Sequence, residues 1–283
     1  MIKKGASGQA AIEYLLLLGA GVMLAALVVS ILTIVLPWPQ FEQSEDYYEE
    51  SYHELDEISD PCLVGWWRFN DRPSGGCGIH SLTAEDISVY KNDALTDCTT
   101  WKNTDCVQGN CVEFMFGTCP GSCSKIPLIE VYNFTDFTIE VWVNSTSSTA
   151  TQVILQRGDE TSGNGSYGVK FNASGNVRAY YELDSSQTSI NSPGIYADGR
   201  WHLVDVTRSG TTLSLYVDGA KVAEELAGQS GKLGRSDLEM RIGWDAAFDG
   251  SIDDLKLYRC ALTEEKILGH CNRYASNVGV TCG

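Results

Sequence analysis

The sequence predicts a long hydrophobic N-terminal α-helix followed by an all-β sandwich. Three observations carry that prediction. An uncharged apolar run, Tyr14 to Leu36, stands near the start of the 283-residue chain. Beyond Cys62 the pattern changes to short strand-like runs at regular spacing. All ten cysteines lie on that far side, and an even count there suggests up to five disulfides in an oxidising space.

The apolar run comes first. At about 1.5 Å per residue its helix is roughly 35 Å long, enough to cross a hydrocarbon core. Lys3 and Lys4 precede it and acids follow it, which predicts a cytoplasmic N-terminus and an exported remainder. Pro37 and Pro39 provide a helix stop. The run is too long for an ordinary cleaved secretory signal, and no Ala-x-Ala site follows it. A plain anchor leaves Glu13 unexplained, because moving a carboxylate toward the bilayer interior costs about 2–3 kcal/mol.

Residues 37–61 form an acidic linker, in which 41–60 hold nine acids and no Lys or Arg. Tyr48, Tyr52, Leu55 and Ser59 fall on one helical face, so an amphipathic helix and a solvated, self-repelling spacer both fit.

Residues 62–283 carry the strand pattern. "FTIEVWV" (137–143) alternates, placing Phe137, Ile139, Val141 and Val143 on one face. "WHLVDVT" (201–207) and "LSLYV" (213–217) are rich in strand formers. Asp218-Gly219 predicts a tight hairpin turn, and 167–182 reads as a second hairpin. Only "LTEEKILGHC" (262–271) looks helical, with Thr263 as its N-cap.

The ten cysteines are Cys62, Cys77, Cys98, Cys106, Cys111, Cys119, Cys123, Cys260, Cys271 and Cys282. Zinc is the rival reading, but no Cys-x-x-Cys pair occurs and there are only four histidines. Asn133, Asn144, Asn164 and Asn172 open Asn-x-Ser/Thr sequons, acceptors for glycosylation in an exported chain. A net charge of −17 argues against nucleic acid as a partner.

Two resemblances sharpen these readings. "KKGASGQAAIEYLLLLGAG" (3–21) resembles the class III signal peptide of archaeal type IV pilin-like proteins, a group that includes the archaellins. The resemblance implies residues 1–8 as a basic leader, cut by a prepilin peptidase between Gly8 and Gln9, with 9–36 as the pilin-type helix. Glu13 and Leu17 match the fifth and ninth mature positions, whereas Ala11 stands where the pattern has serine. It further implies a homo-oligomeric filament drawn from a membrane-inserted precursor, in which Glu13 pairs with the freed amine of a neighbour's Gln9.

"GWWRFND" (65–71), "FTIEVWV", "ADGRWHLVDVTRSGTTLSLYVDGAKV" (197–222) and "FDGSIDDLKLYRCALTEEKI" (248–267) together resemble a laminin-G-like jelly roll of the concanavalin A-like lectin/glucanase group. The cysteine-rich stretch 98–123 departs from that pattern and looks like a disulfide-stapled elaboration. The family implies a structural Ca2+, for which Asp86 and Asp253 are the candidates, with solvated or capping acids as the bland alternative. It also implies a glycan or cell-surface ligand, with Trp101, Trp244 and Tyr181 as stacking rings or as core.

No catalytic residue is expected. Glycan-cleaving relatives carry Glu-x-Asp-x-x-Glu, and Glu182-Leu-Asp184 lacks the third acid. Gly163–Gly168 matches Gly-x-Gly-x-x-Gly but precedes a strand, so it reads as a loop. The resulting expectation is a pilus-like surface filament that displays a jelly roll for adhesion. A tethered or pilus-tip lectin is the alternative.

Overall fold

The computed structural model describes residues 53–70, 82–96, 99–114, 124–146, 150–158, 160, 165–226, 229–234, 238–243 and 248–283. Gly8, Gln9, Glu13 and Leu17 lie outside these residues, and so does the predicted apolar helix. Among the described residues no helix is long and apolar enough to cross a membrane. The chain divides after Glu57, and the unit from Ile58 to Gly283 holds all the strands described below. In the acidic linker, residues 53–58 are helical.

The predicted strands form, with others between them, and all described pairings are antiparallel. One sheet runs β14 (Ala220–Leu226), β13 (Thr212–Val217), β12 (Trp201–Ser209), β7 (Phe137–Ser145), β16 (Gly250–Tyr258), β5 (Cys111–Phe114) and β4 (Thr100–Lys102). β1 (Leu63–Trp67) pairs with the far end of β16. The second sheet runs β11 (Ser186–Asn191), β10 (Val177–Leu183), β9 (Tyr167–Phe171), β8 (Gln152–Arg157), β15 (Met240–Ile242), β6 (Lys125–Ile126), β3 (Ala94–Thr96) and β2 (Leu82–Ala84).

The period-2 pattern sets the faces. Phe137, Ile139, Val141 and Val143 of β7 join Val204, Val206, Leu215, Ile252 and Leu257 in the core. Val169, Ala179 and Tyr181 of the second sheet belong to the same core. Asp218 (φ 52°) and Gly219 (φ 79°) make the turn between β13 and β14 with two positive φ angles, as a type I′ hairpin requires. Trp66 and Trp67 are neighbours in β1 yet enter different clusters, because successive side chains leave a strand on opposite faces.

The outer face of the first sheet is partly covered by a helix, Glu264–Val278, capped by the Thr263 hydroxyl on the Lys266 N–H and ended at Gly279 in the left-handed region. The helix runs seven residues beyond its sequence prediction. Tyr274 and Ala275 supply the reason, since both pack with Trp142, Trp201 and Leu203, and Cys271–Cys282 fastens the chain that follows. Burying each such large apolar side chain contributes about 1.5–3 kcal/mol. Two further disulfides are Cys62–Cys260, joining the start of β1 to the end of β16, and Cys106–Cys111. Cys77, Cys98, Cys119 and Cys123 lie outside the described residues.

Candidate functional site

Strand register sets polar residues side by side on the outer face of the first sheet. Thr100, Glu113, Ser251, Asn144 and Trp201 align in one row across β4, β5, β16, β7 and β12. In the neighbouring row, Leu203 and Trp142 are buried in the cluster with the C-terminal helix.

The first row borders an open cleft of about 320 Å3, at the small end of ligand-site volumes. Lys102, Asp105, Glu113, Asn144, Asp249 and Ser251 line it. Gly250 lets β16 approach β7 there, because a Cβ would lie 2.0 Å from the Asn144 carbonyl oxygen. Asp249 is positioned through its backbone: its carbonyl accepts from Ser145 Oγ at 2.8 Å and its N–H donates to Gln152 Oε1 at 3.0 Å.

The lining groups differ in how far they are committed. Lys102 Nζ lies 3.3 Å from Glu113 and 4.0 Å from Asp105. Among the described residues the side chains of Asn144, Ser251 and Asp249 have no partner, although Ser251 is only 5% exposed. An amide, a hydroxyl and a carboxylate left open together can donate to and accept from a polyhydroxylated ligand.

A second polar group lies on the same face, at the C-terminal helix. Lys256 Nζ sits 2.9 Å from Glu140 and 3.0 Å from Asp254, with all three side chains at least 98% buried. His270 Nδ1 is 2.6 Å from the other Glu140 oxygen. The Trp66 indole N–H donates to Asp254, and Lys256 stands 4.6 Å above the Trp66 ring. Burial alone would raise the Glu140 pKa, but His270 and then Lys256 outweigh it and hold the carboxyl below its usual range. Asp205, opposite Glu140 in register, has its pKa pushed well up by burial and then by the Glu140 charge.

His202 fastens the hairpin turn. Its Nδ1 lies 2.8 Å from Asp218 and its Nε2 3.2 Å from Asp198. Burial opposes the charged ring, yet the two carboxylates, Asp218 first, raise its pKa.

The structure places the remaining sequence-predicted residues as follows. Asp86 is buried and accepts from the N–H groups of Trp66, Ser88 and Asn92 and from the Ser88 hydroxyl. These are hydrogen-bond donors where calcium would need oxygen ligands, so the surroundings of Asp86 do not fit the ion. Asp253 accepts from the Val107 and Gln108 N–H groups, and burial followed by the Asp254 charge raises its pKa. Among the described residues neither aspartate belongs to a group of three metal-ligating side chains.

Trp101 and Tyr181 are core and offer no stacking platform: Trp101 packs edge-on to Phe69, and Tyr181 lies under the buried Arg208 guanidinium. Trp244 and Asn164 lie outside the described residues. Asn133 is half-buried, with a buried Oδ1, and its side chain lies beside Gly234. Asn172 sits in the β9–β10 turn, its Oδ1 accepting from the Ser174 and Asn176 N–H groups. Glu182 and Asp184 flank the β10–β11 turn, where Asp184 is exposed with φ 51°. The cleft escaped sequence reasoning except at Asn144, which the sequon had singled out for another reason.

A family profile described as "Concanavalin A-like lectin/glucanases superfamily" (Laminin_G_3) matches residues 122–268, just over half of the chain. This chain belongs to that superfamily. Among curated proteins, none matches it.

Solved structures agree on the fold. The binding domain of Paraclostridial mosquitocidal protein 1 superposes with a TM-score of 0.59 at 13% identity, over 75% of this chain and 52% of that one. The botulinum neurotoxin serotype D ligand-binding domain, solved with N-acetylneuraminic acid, gives 0.55 at 14%, over 75% and 51%. A Trypanosoma rangeli sialidase with 2,3-difluorosialic acid gives 0.52 at 18%, over 79% and 34%. The chain thus spans about half the length of the toxin domains it matches and about a third of the sialidase.

Proposed function

We propose that the jelly roll is a lectin-like module, presented outside the cell, that holds a glycan in the outer-face cleft without cleaving it. The observation that carries this reading is the set of uncommitted polar side chains, Asn144, Ser251 and Asp249, around one cleft. Membership of a lectin superfamily and three disulfides, which belong in an oxidising space, support it. Against hydrolysis stands the commitment of Glu113 to Lys102, which leaves Asp249 without a free opposed carboxyl from that strand. A glycan array probed with the full chain tests the reading. Binding should appear, should weaken about tenfold in Ser251→Ala with the fold retained, and should release no reducing ends.

Residues 3–21 favour a second, compatible reading, in which this module is carried on a type IV pilin-like filament. The N-terminal mass of the native protein tests it. A chain beginning at Gln9 in sheared surface material supports assembly after processing, and one beginning at Met1 and confined to membranes overturns it.

A further inference from the structure

We propose that the cleft selects sugars without negative charge, neutral hexoses and amine-bearing sugars, over sialic acids. This rests on the lectin reading of the same cleft.

Three carboxylates, Asp105, Glu113 and Asp249, line the cleft against one ammonium, Lys102. Counted over the described lining residues, the cleft is two charges negative. Lys102 cannot serve an incoming anion freely, because Glu113 at 3.3 Å and Asp105 at 4.0 Å already claim it. Asp249 is the one lining carboxylate with no partner among the described residues. A sugar hydroxyl can donate to Asp249 while its neighbours accept from the Asn144 amide and the Ser251 hydroxyl. A sugar ammonium would pair with Asp249 directly. A sialic acid carboxylate would meet like charge with no cation to spare, a repulsive element of the kind that produces specificity. The −17 charge of the chain acts in the same direction at longer range. Sialic acids accompany two of the structural neighbours, whose likeness to this chain, at 18% and 14% identity, shows the fold alone.

Full-length protein in a non-ionic detergent can be tested against polymer-linked galactose, glucose, mannose, glucosamine and N-acetylneuraminic acid. A neutral or glucosamine probe should bind about tenfold or more tighter than the sialic acid probe, a gap of about 1.4 kcal/mol. Raising salt to about 0.5 M should narrow the gap by screening. Ser251→Ala should weaken the preferred probe about tenfold, and Asp249→Asn should close part of the gap by admitting the sialic acid probe. An unchanged circular dichroism spectrum keeps both variants interpretable, and Asp249, being half-buried, is the safer of the two. Equal or tighter binding of the sialic acid probe, still weakened in Ser251→Ala, would overturn the selectivity and leave the lectin reading standing. No binding by any probe, or binding indifferent to both variants, would overturn the lectin reading and the selectivity with it.

Discussion

Near the C-terminal helix, Glu140, Lys256, Asp254 and His270 are partnered with one another in the protein's interior. Four residues along the same strand as Glu140, Asn144 borders a cleft where its amide, the Ser251 hydroxyl and the Asp249 carboxylate are partnered with nothing described. Glu140 and Lys256 of the first group and Asn144 and Ser251 of the second project from one face of one sheet. Buried charge is tolerated only when paired, so the first arrangement answers the demands of folding. Polar groups left open at a cleft answer none of those demands, and the difference separates residues that hold the protein together from residues available to a ligand.

The largest expected effect breaks the first group. Lys256→Met strips Asp254 of its counter-charge and removes one of the two cationic neighbours of Glu140, and should cost about 3–5 kcal/mol in chemical denaturation. A loss under about 1 kcal/mol would mean that the network does not anchor this face.

Acid titration comes next. Because the folded Glu140 pKa is depressed, its contribution is present above about pH 4.5 and is lost as pH falls through the lowered value. Asp205 has the opposite sign: its raised folded pKa favours folding below about pH 3.8, and that contribution fades as pH rises through the raised value. Asp205→Asn keeps a donor toward Glu140 and should flatten the alkaline side of the stability profile. A profile unchanged from wild type would show that Asp205 does not hold the proton.

The cleft should respond in the contrary way. Asn144→Ala and Ser251→Ala should each move folding stability by no more than about 0.5 kcal/mol while weakening glycan binding about tenfold. A large destabilisation would return these residues to the structural group. Smallest of all, chelation with EDTA should leave the melting temperature within about one degree, since hydrogen-bond donors surround Asp86. A rise of several degrees on adding calcium would restore the family's metal.

What the sequence discloses tracks the range of the interaction. The alternation in 137–143, the Asp218-Gly219 turn and the Thr263 cap are local, and each forms as its own residues predict. Burial of Trp101 and Tyr181 depends on what the other sheet brings, so exposure and burial could not be separated beforehand. Glu140 falls on the solvent side of the β7 alternation, but the helix that brings His270 to it starts more than 120 residues later. The cleft is the extreme case. Glu113, Asn144 and Ser251 meet only because β16 lies between β5 and β7, a pairing that no spacing along the chain announces.

The bond between Cys62 and Cys260 has a mechanical consequence. Tension applied to the chain ahead of Cys62 passes through the disulfide into the end of β16, the strand that carries Ser251. From Cys260 back to Ser251 that covalent path is nine residues along the chain. Most of the chain between the two cysteines, which are 198 positions apart, lies outside that path and is spared from stretching.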